Sequence, residues 1–174
     1  EKFNPYIEST LMLVNHVLNN EYFQSACAGF KILLESTDLT DFEQLFLEIL
    51  DSLLNLLNNE EISAPNKSIV IEVFSKINEI NPPLFVSILE TILPIIENLA
   101  LELDDWEDFD SNSSYLRFFN GILMIDKENI QQEFQLIACK SIFCILSLVI
   151  KCPKMDIYHL DSVVDALYLI GQNF

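Results

Sequence analysis

The residues with the most chemical potential stand together. From Glu102 to Asp110 the chain reads Glu-Leu-Asp-Asp-Trp-Glu-Asp-Phe-Asp, six carboxylates in nine residues around the only tryptophan. Asp108, Asp110 and Asn112 alternate as ligands do at the start of an EF-hand loop. That loop also requires a glycine at its sixth position and a bidentate glutamate at its twelfth, where this chain has Ser113 and Phe119. Calcium is therefore not expected, and no other metal or cofactor is implied. The chemistry left to the stretch is electrostatic. Asp104, Asp105, Glu107, Asp108 and Asp110 can attract Lys or Arg side chains, and Trp106 can stack on a cation or on its aliphatic stem. The plainer alternative is a solvated loop with Trp106 folded back onto neighbouring helices.

Little else in the chain suggests bond-making chemistry. His16 and His159 fall on helical patterns without a cysteine or carboxylate constellation at ligand spacing. Neither a phosphate-cradling glycine loop, a nucleophile elbow nor a zinc motif is present. Cys27, Cys139, Cys144 and Cys152 form no CxxC pair and lie in or at the end of apolar helical stretches, which suits burial as free thiols in a reducing compartment. The expectation is a binding protein and not an enzyme.

Charge narrows the partner class. Against 27 carboxylates the chain has nine Lys and Arg, giving a formal net charge of −18. Nucleic acid and anionic membrane surfaces would be repelled, because affinity for both comes from cations on the protein. A Lys/Arg-rich protein surface would be attracted. The purely apolar runs are shorter than a bilayer requires, so no membrane insertion is expected.

The elements that must position these residues are helices. Apolar residues recur every three or four positions nearly throughout, and 51% of the chain is apolar. The first helix is expected from about Pro5 to Asn19 and the second from Tyr22 to about Glu35. Thr40 and Glu43 fit a capping box opening a third helix that continues to Leu57. Ser63 and Pro65 open a fourth, stopped by Pro82 and Pro83. A fifth, about Pro83 to Leu103, is apolar on most sides, and Pro94 should kink or open it. After the acidic loop come helices at about Ser113 to Ile125, Ile130 to Lys151 and Asp156 to Leu169, with Gly171 as a stop signal.

Helix pairs beginning near Pro5, Thr40, Pro83 and Glu128 recur about every 40 residues, the period of HEAT repeats. The expected fold is therefore all-α: a HEAT-like superhelix of about four pairs (about 4–36, 40–81, 83–126 and 128–172), with a closed helical bundle as the alternative. It would form one helical-repeat domain over 1–174 and a segment of a longer array. The stretch Asn20-Glu21-Tyr22-Phe23-Gln24-Ser25-Ala26-Cys27-Ala28 is similar to the HEAT turn and inner-helix consensus, with Gln24 where that consensus prefers arginine.

The segment from about Gly29 to Leu116 resembles part of a karyopherin-β (importin-β superfamily) nuclear transport receptor. The resemblance rests on the long helix Phe42 to Leu57, then Asn58-Asn59-Glu60-Glu61-Ile62-Ser63, and then a helix with Lys67, Ile71-Glu72-Val73 and Ile80-Asn81-Pro82. A second long apolar helix then runs directly into Leu103-Asp104-Asp105-Trp106-Glu107. The resemblance implies a receptor that shuttles between cytoplasm and nucleus. Its concave face would bind Ran-GTP or basic cargo segments, and its outer helices would bind Phe-Gly nucleoporins. The alternative is a HEAT-repeat scaffold subunit of a large complex unrelated to transport.

Overall fold

The computed structural model describes residues 5–37, 40–103, 109–151 and 157–173. The described residues form eight α-helices and no strand, so the chain is all-α. They are α1 (Pro5–Leu18), α2 (Phe23–Ser36), α3 (Glu43–Asn58), α4 (Ala64–Ile80), α5 (Pro82–Leu101), α6 (Phe109–Leu123), α7 (Gln132–Lys151) and α8 (Ile157–Asn173).

Several boundaries follow directly from local chemistry. The Pro82-Pro83 pair forces Asn81 out of the α region, to φ −140° and ψ 75°. Asn81 then serves both neighbours: its backbone N–H closes the end of α4 on the Ile77 carbonyl. Its side-chain oxygen accepts the Leu84 N–H at 3.2 Å at the start of α5. Two long helices are thus joined by a single residue. At the start of α4, Ser63 is extended and Pro65 occupies the first turn, where a missing N–H costs nothing.

Three expectations are corrected. Thr40 does not open a capping box at the third helix. Thr40–Phe42 form a 3-10 turn, and Glu43 becomes the first residue of α3 instead of standing three positions inside it. The sixth helix begins at Phe109, four residues before Ser113, so the loop gives up residues 109–112 to α6. Gly171 does not stop α8: no glycine among the described residues has a positive φ, and the helix continues to Asn173. Asn173 explains this, because its side chain donates to the Leu123 carbonyl at 2.9 Å and holds the end of α8 against the end of α6. α5 carries Pro94 inside its span, on its exposed side. By length and composition α5 is the one helix among the described residues that could cross a bilayer. It packs on α3, α4 and α7, and its Glu97 pairs with Lys140 at 3.2 Å.

Packing follows a rule of alternation. α1 packs on α3, α3 on α5 and α5 on α7; likewise α2 packs on α4, α4 on α6 and α6 on α8. Sequential neighbours such as α1 and α2, α4 and α5, and α6 and α7 join the two rows. Among the described residues α1 and α2 have no extensive packing with α5, α7 or α8. The core lies between the rows. Phe30 of α2 meets Phe46 of α3 with ring centroids 5.8 Å apart, and Phe85 of α5 meets Phe118 of α6 edge-on at 5.7 Å. All four rings are buried, each contributing roughly 2–3 kcal/mol by removal from water.

Polar side chains tie helices within a row, at 33 and 37 residues between α1 and α3 and at a near-constant interval along α2, α4 and α6. Gln24 donates to Asn66 at 2.7 Å, Lys31 pairs with Glu72 at 2.6 Å, and Ser114 donates to the other Glu72 oxygen at 3.1 Å. These links span 42, 41 and 42 residues, and Lys140 to Glu97 spans 43. Lys76 of α4 reaches Glu35 of α2 at 2.6 Å. Successive contacts advance in the same direction along both partners, so α2, α4 and α6 lie parallel with a register of about one pair.

A candidate protein-binding groove

The parallel row α4, α6 and α8 borders a groove of about 1040 Å³. Its wall on α4 is Ser75, Asn78 and Glu79, and on α6 it runs from Ser113 to Met124. Pro82, Pro83 and Val86 at the start of α5 give one apolar flank. Asp126 and Asn129 of the α6–α7 turn, with Asp165, Tyr168 and Leu169 of α8, close the other side.

The end of α6 is held firmly. Its last carbonyls would be orphaned at the helix end. Asn173 of α8 donates to the Leu123 carbonyl, and Gln135 of α7 donates to the Ile125 carbonyl at 3.2 Å. Lys127 spends its ammonium on the Asn173 carbonyl at 2.8 Å. The turn bearing Asp126 and Asn129 is thus fastened to both following helices. On the α4 side, Gly121 lets the two helices approach closely: a Cβ there would lie 2.5 Å from Asn78 Nδ2.

The electrostatics of the groove are unbalanced. Lys76 is engaged by Glu35 and Glu79 at 2.6 and 2.9 Å, and these hydrogen bonds raise its pKa. Arg117 faces the field of Glu72. Burial pushes the Glu72 carboxyl up, but the Lys31 hydrogen bond and charge, Ser114 and Arg117 together hold it below its ordinary value of 4.5. Asp126 and Asp165 are exposed and make no ion pair among the described residues. The groove therefore carries acidic charge that its own cations do not neutralise. Its apolar content is also open to water, with Met124 71% and Tyr168 64% exposed. Asn120 Oδ1 is shielded from solvent in the groove wall and accepts no hydrogen bond.

The start of α5 does not turn this end of the groove into an anion site. Pro82 and Pro83 have no N–H, Leu84 donates to the Asn81 side chain and Phe85 to the Asn81 carbonyl at 3.0 Å.

Asp104, Asp105, Trp106, Glu107 and Asp108 fall outside the described residues, and Asp110 is placed only as a backbone position in the first turn of α6. His16 is exposed in the last turn of α1, and its carbonyl accepts Asn20 Nδ2 at 2.6 Å. His159 has a backbone position in α8 and no described side chain. Cys27 and Cys139 are buried free thiols and Cys144 is half-buried, while Cys152 lies outside the described residues. Burial pushes the Cys27 thiol up to about 12, which keeps it protonated and unreactive. Among the described residues no group of three or more His, Cys, Asp or Glu could hold a metal ion.

Sequence reasoning did not find the groove. Asp126 sits in a short turn, and Asp165 and Tyr168 are three apart on α8, but no local pattern says that α4, α6 and α8 converge. No family model matches the chain, nor does any curated protein or solved structure.

Proposed function

We propose that the chain is a protein-binding helical-repeat module: a HEAT-type superhelix of about four pairs, α1–α2, α3–α4, α5–α6 and α7–α8. The observation that carries this is the parallel register of α2, α4 and α6, with cross-links 41 and 42 residues apart. A closed antiparallel bundle would bring its first and last helices together, whereas stacked pairs contact only their neighbours. The rows also differ in closeness. α4 and α6 pack along much of their length, while α3 and α5 touch only briefly. On this reading the α2–α4–α6–α8 row forms the concave side of the stack. The groove opens on that row, where such arrays present extended binding surfaces.

Within this reading the chain serves as part of a nuclear transport receptor, taking Ran-GTP, basic cargo segments or Phe-Gly nucleoporins and moving between cytoplasm and nucleus. The support is the pattern from Gly29 to Leu116 and an acid-rich composition suited to basic partners. Immobilised Ran loaded with GTP is expected to retain the protein, and Ran loaded with GDP to release it. Equal or absent retention in the two states would remove the transport role and leave a scaffold subunit as the better account.

A further inference from the structure

We infer that the groove between α4, α6 and α8 is a docking site for a cationic amphipathic protein segment, one that sets Lys or Arg against Asp126 and Asp165 and an apolar side chain against Pro82, Pro83, Val86 and Met124. The inference deepens the protein-binding reading and rests on it, but it requires neither Ran nor the acidic loop.

Charge complementarity selects the occupant. The lining holds three carboxylates, Glu79, Asp126 and Asp165, against one cation, Arg117; Glu79 is paired with Lys76 outside the lining, and Arg117 lies in the field of Glu72. Asp126 and Asp165 have no ion-pair partner among the described residues, and both are exposed. An anionic segment would face these carboxylates, and the α5 N-terminus beside them has no free N–H to offer, because two prolines and Asn81 use up its first turn. A cationic segment meets two uncommitted carboxylates and the face of Tyr168, a ring suited to a guanidinium or ammonium.

The remaining wall explains why charge alone is not enough. Pro82, Pro83, Val86, Leu116, Met124 and Leu169 make a largely apolar lining, so a purely polar polycation would leave it wet. A segment with apolar side chains interspersed among its cations covers both kinds of surface. Methionine adds shape tolerance, since its unbranched thioether adapts to different apolar side chains. Asn78, Asn120 and Asn129 line the same groove and can serve the backbone of such a segment. Rotation of the Asn120 amide into the groove would bring its unpaired oxygen to a backbone N–H, relieving an acceptor that is buried without a partner.

The test uses the whole chain and three synthetic dodecapeptides of equal apolar content, in which the charged positions are all Arg, all Glu or all Ser. Calorimetric titration is expected to give saturable one-to-one binding for the Arg peptide alone, weakening with added salt. Asp126→Asn with Asp165→Asn should weaken it roughly five- to tenfold, the scale of two partly exposed ion pairs, and Tyr168→Ala about threefold. All three positions are exposed, so circular dichroism should show an unchanged fold. A photoreactive residue at the peptide's central apolar position should crosslink to Met124 or its groove neighbours. Equal binding of the Arg and Glu peptides, or wild-type affinity in the double variant, overturns the inference. A variant with Asp104, Asp105, Glu107 and Asp108 changed to Asn or Gln separates the two acidic sites. If that variant alone loses the Arg peptide, the groove assignment fails while the protein-binding reading stands. If no peptide binds and Ran-GTP is also not retained, both fail.

Discussion

Glu72 is the side chain on which the most inter-helix chemistry converges. From α4 it accepts Lys31 of α2 and Ser114 of α6, and it feels Arg117 of α6. One carboxylate thus links three parallel helices of the same row. Replacing it by glutamine keeps the volume but removes the charge, leaving Lys31 at 29% exposure without its ion pair. The expected cost is about 1–2 kcal/mol, the scale of a hydrogen bond to a charged group at a partly exposed site. The pH dependence gives a sharper readout. The folded pKa of Glu72 lies below its ordinary value of 4.5, so its stabilisation is complete above the unfolded pKa and is lost as pH falls through the folded one. Urea unfolding at pH 7 and pH 3 should show Glu72→Gln less stable than wild type at pH 7, with the gap narrowed at pH 3. A gap independent of pH would mean that the charge of Glu72 does not matter.

At the scale of elements, what could be read from the sequence was what neighbours in the chain decide. Pro82-Pro83 and Pro65 marked helix edges correctly because a proline restricts its own φ and the conformation of the residue before it. The signals that misled were those that tertiary contacts overrule. Gly171 reads as a stop, but Asn173 is anchored on α6 and the helix continues. The Asp110-Ser111-Asn112 run reads as loop because these residues favour caps and turns, and α6 nonetheless begins at Phe109. The groove was invisible because its walls come from positions about 40 residues apart. The three glycines make the distinction measurable. Gly29 and Gly171 are helical, and a Cβ at either would meet nothing within 4 Å. Alanine at each should therefore stabilise the chain by roughly 0.5–1 kcal/mol through backbone entropy alone. Gly121→Ala gains the same propensity but must displace the Asn78 amide, so its benefit should be smaller. Thermal unfolding of the three variants should rank Gly121→Ala last. If it ranked first, the close approach of α4 and α6 at Gly121 would not be a constraint.

For the whole molecule the dominant fact is charge. If each of the nine Lys and Arg neutralised one carboxylate, eighteen of the 27 would still be uncompensated. The ion pairs among the described residues involve only Lys31, Lys76 and Lys140, with partner side chains between 18% and 55% exposed. Surface pairs of that kind contribute about 0–1 kcal/mol each, whereas like-charge repulsion acts among all the carboxylates. Added salt screens both. The Debye length falls from roughly 30 Å at 0.01 M to about 3 Å at 1 M, so long-range repulsion disappears first and the short pairs persist longest. Sodium chloride raised from 0.02 to 0.5 M should therefore stabilise the folded chain. For a domain of this size each kcal/mol regained moves Tm by about 2–4 °C. A melting temperature that fell with sodium chloride would show that the few ion pairs outweigh the repulsion. The same field has the opposite consequence for recognition: the salt that steadies the fold weakens its hold on a cationic partner. Stability and affinity should therefore move in opposite directions along a single salt titration, a signature that an uncharged apolar docking surface would not produce.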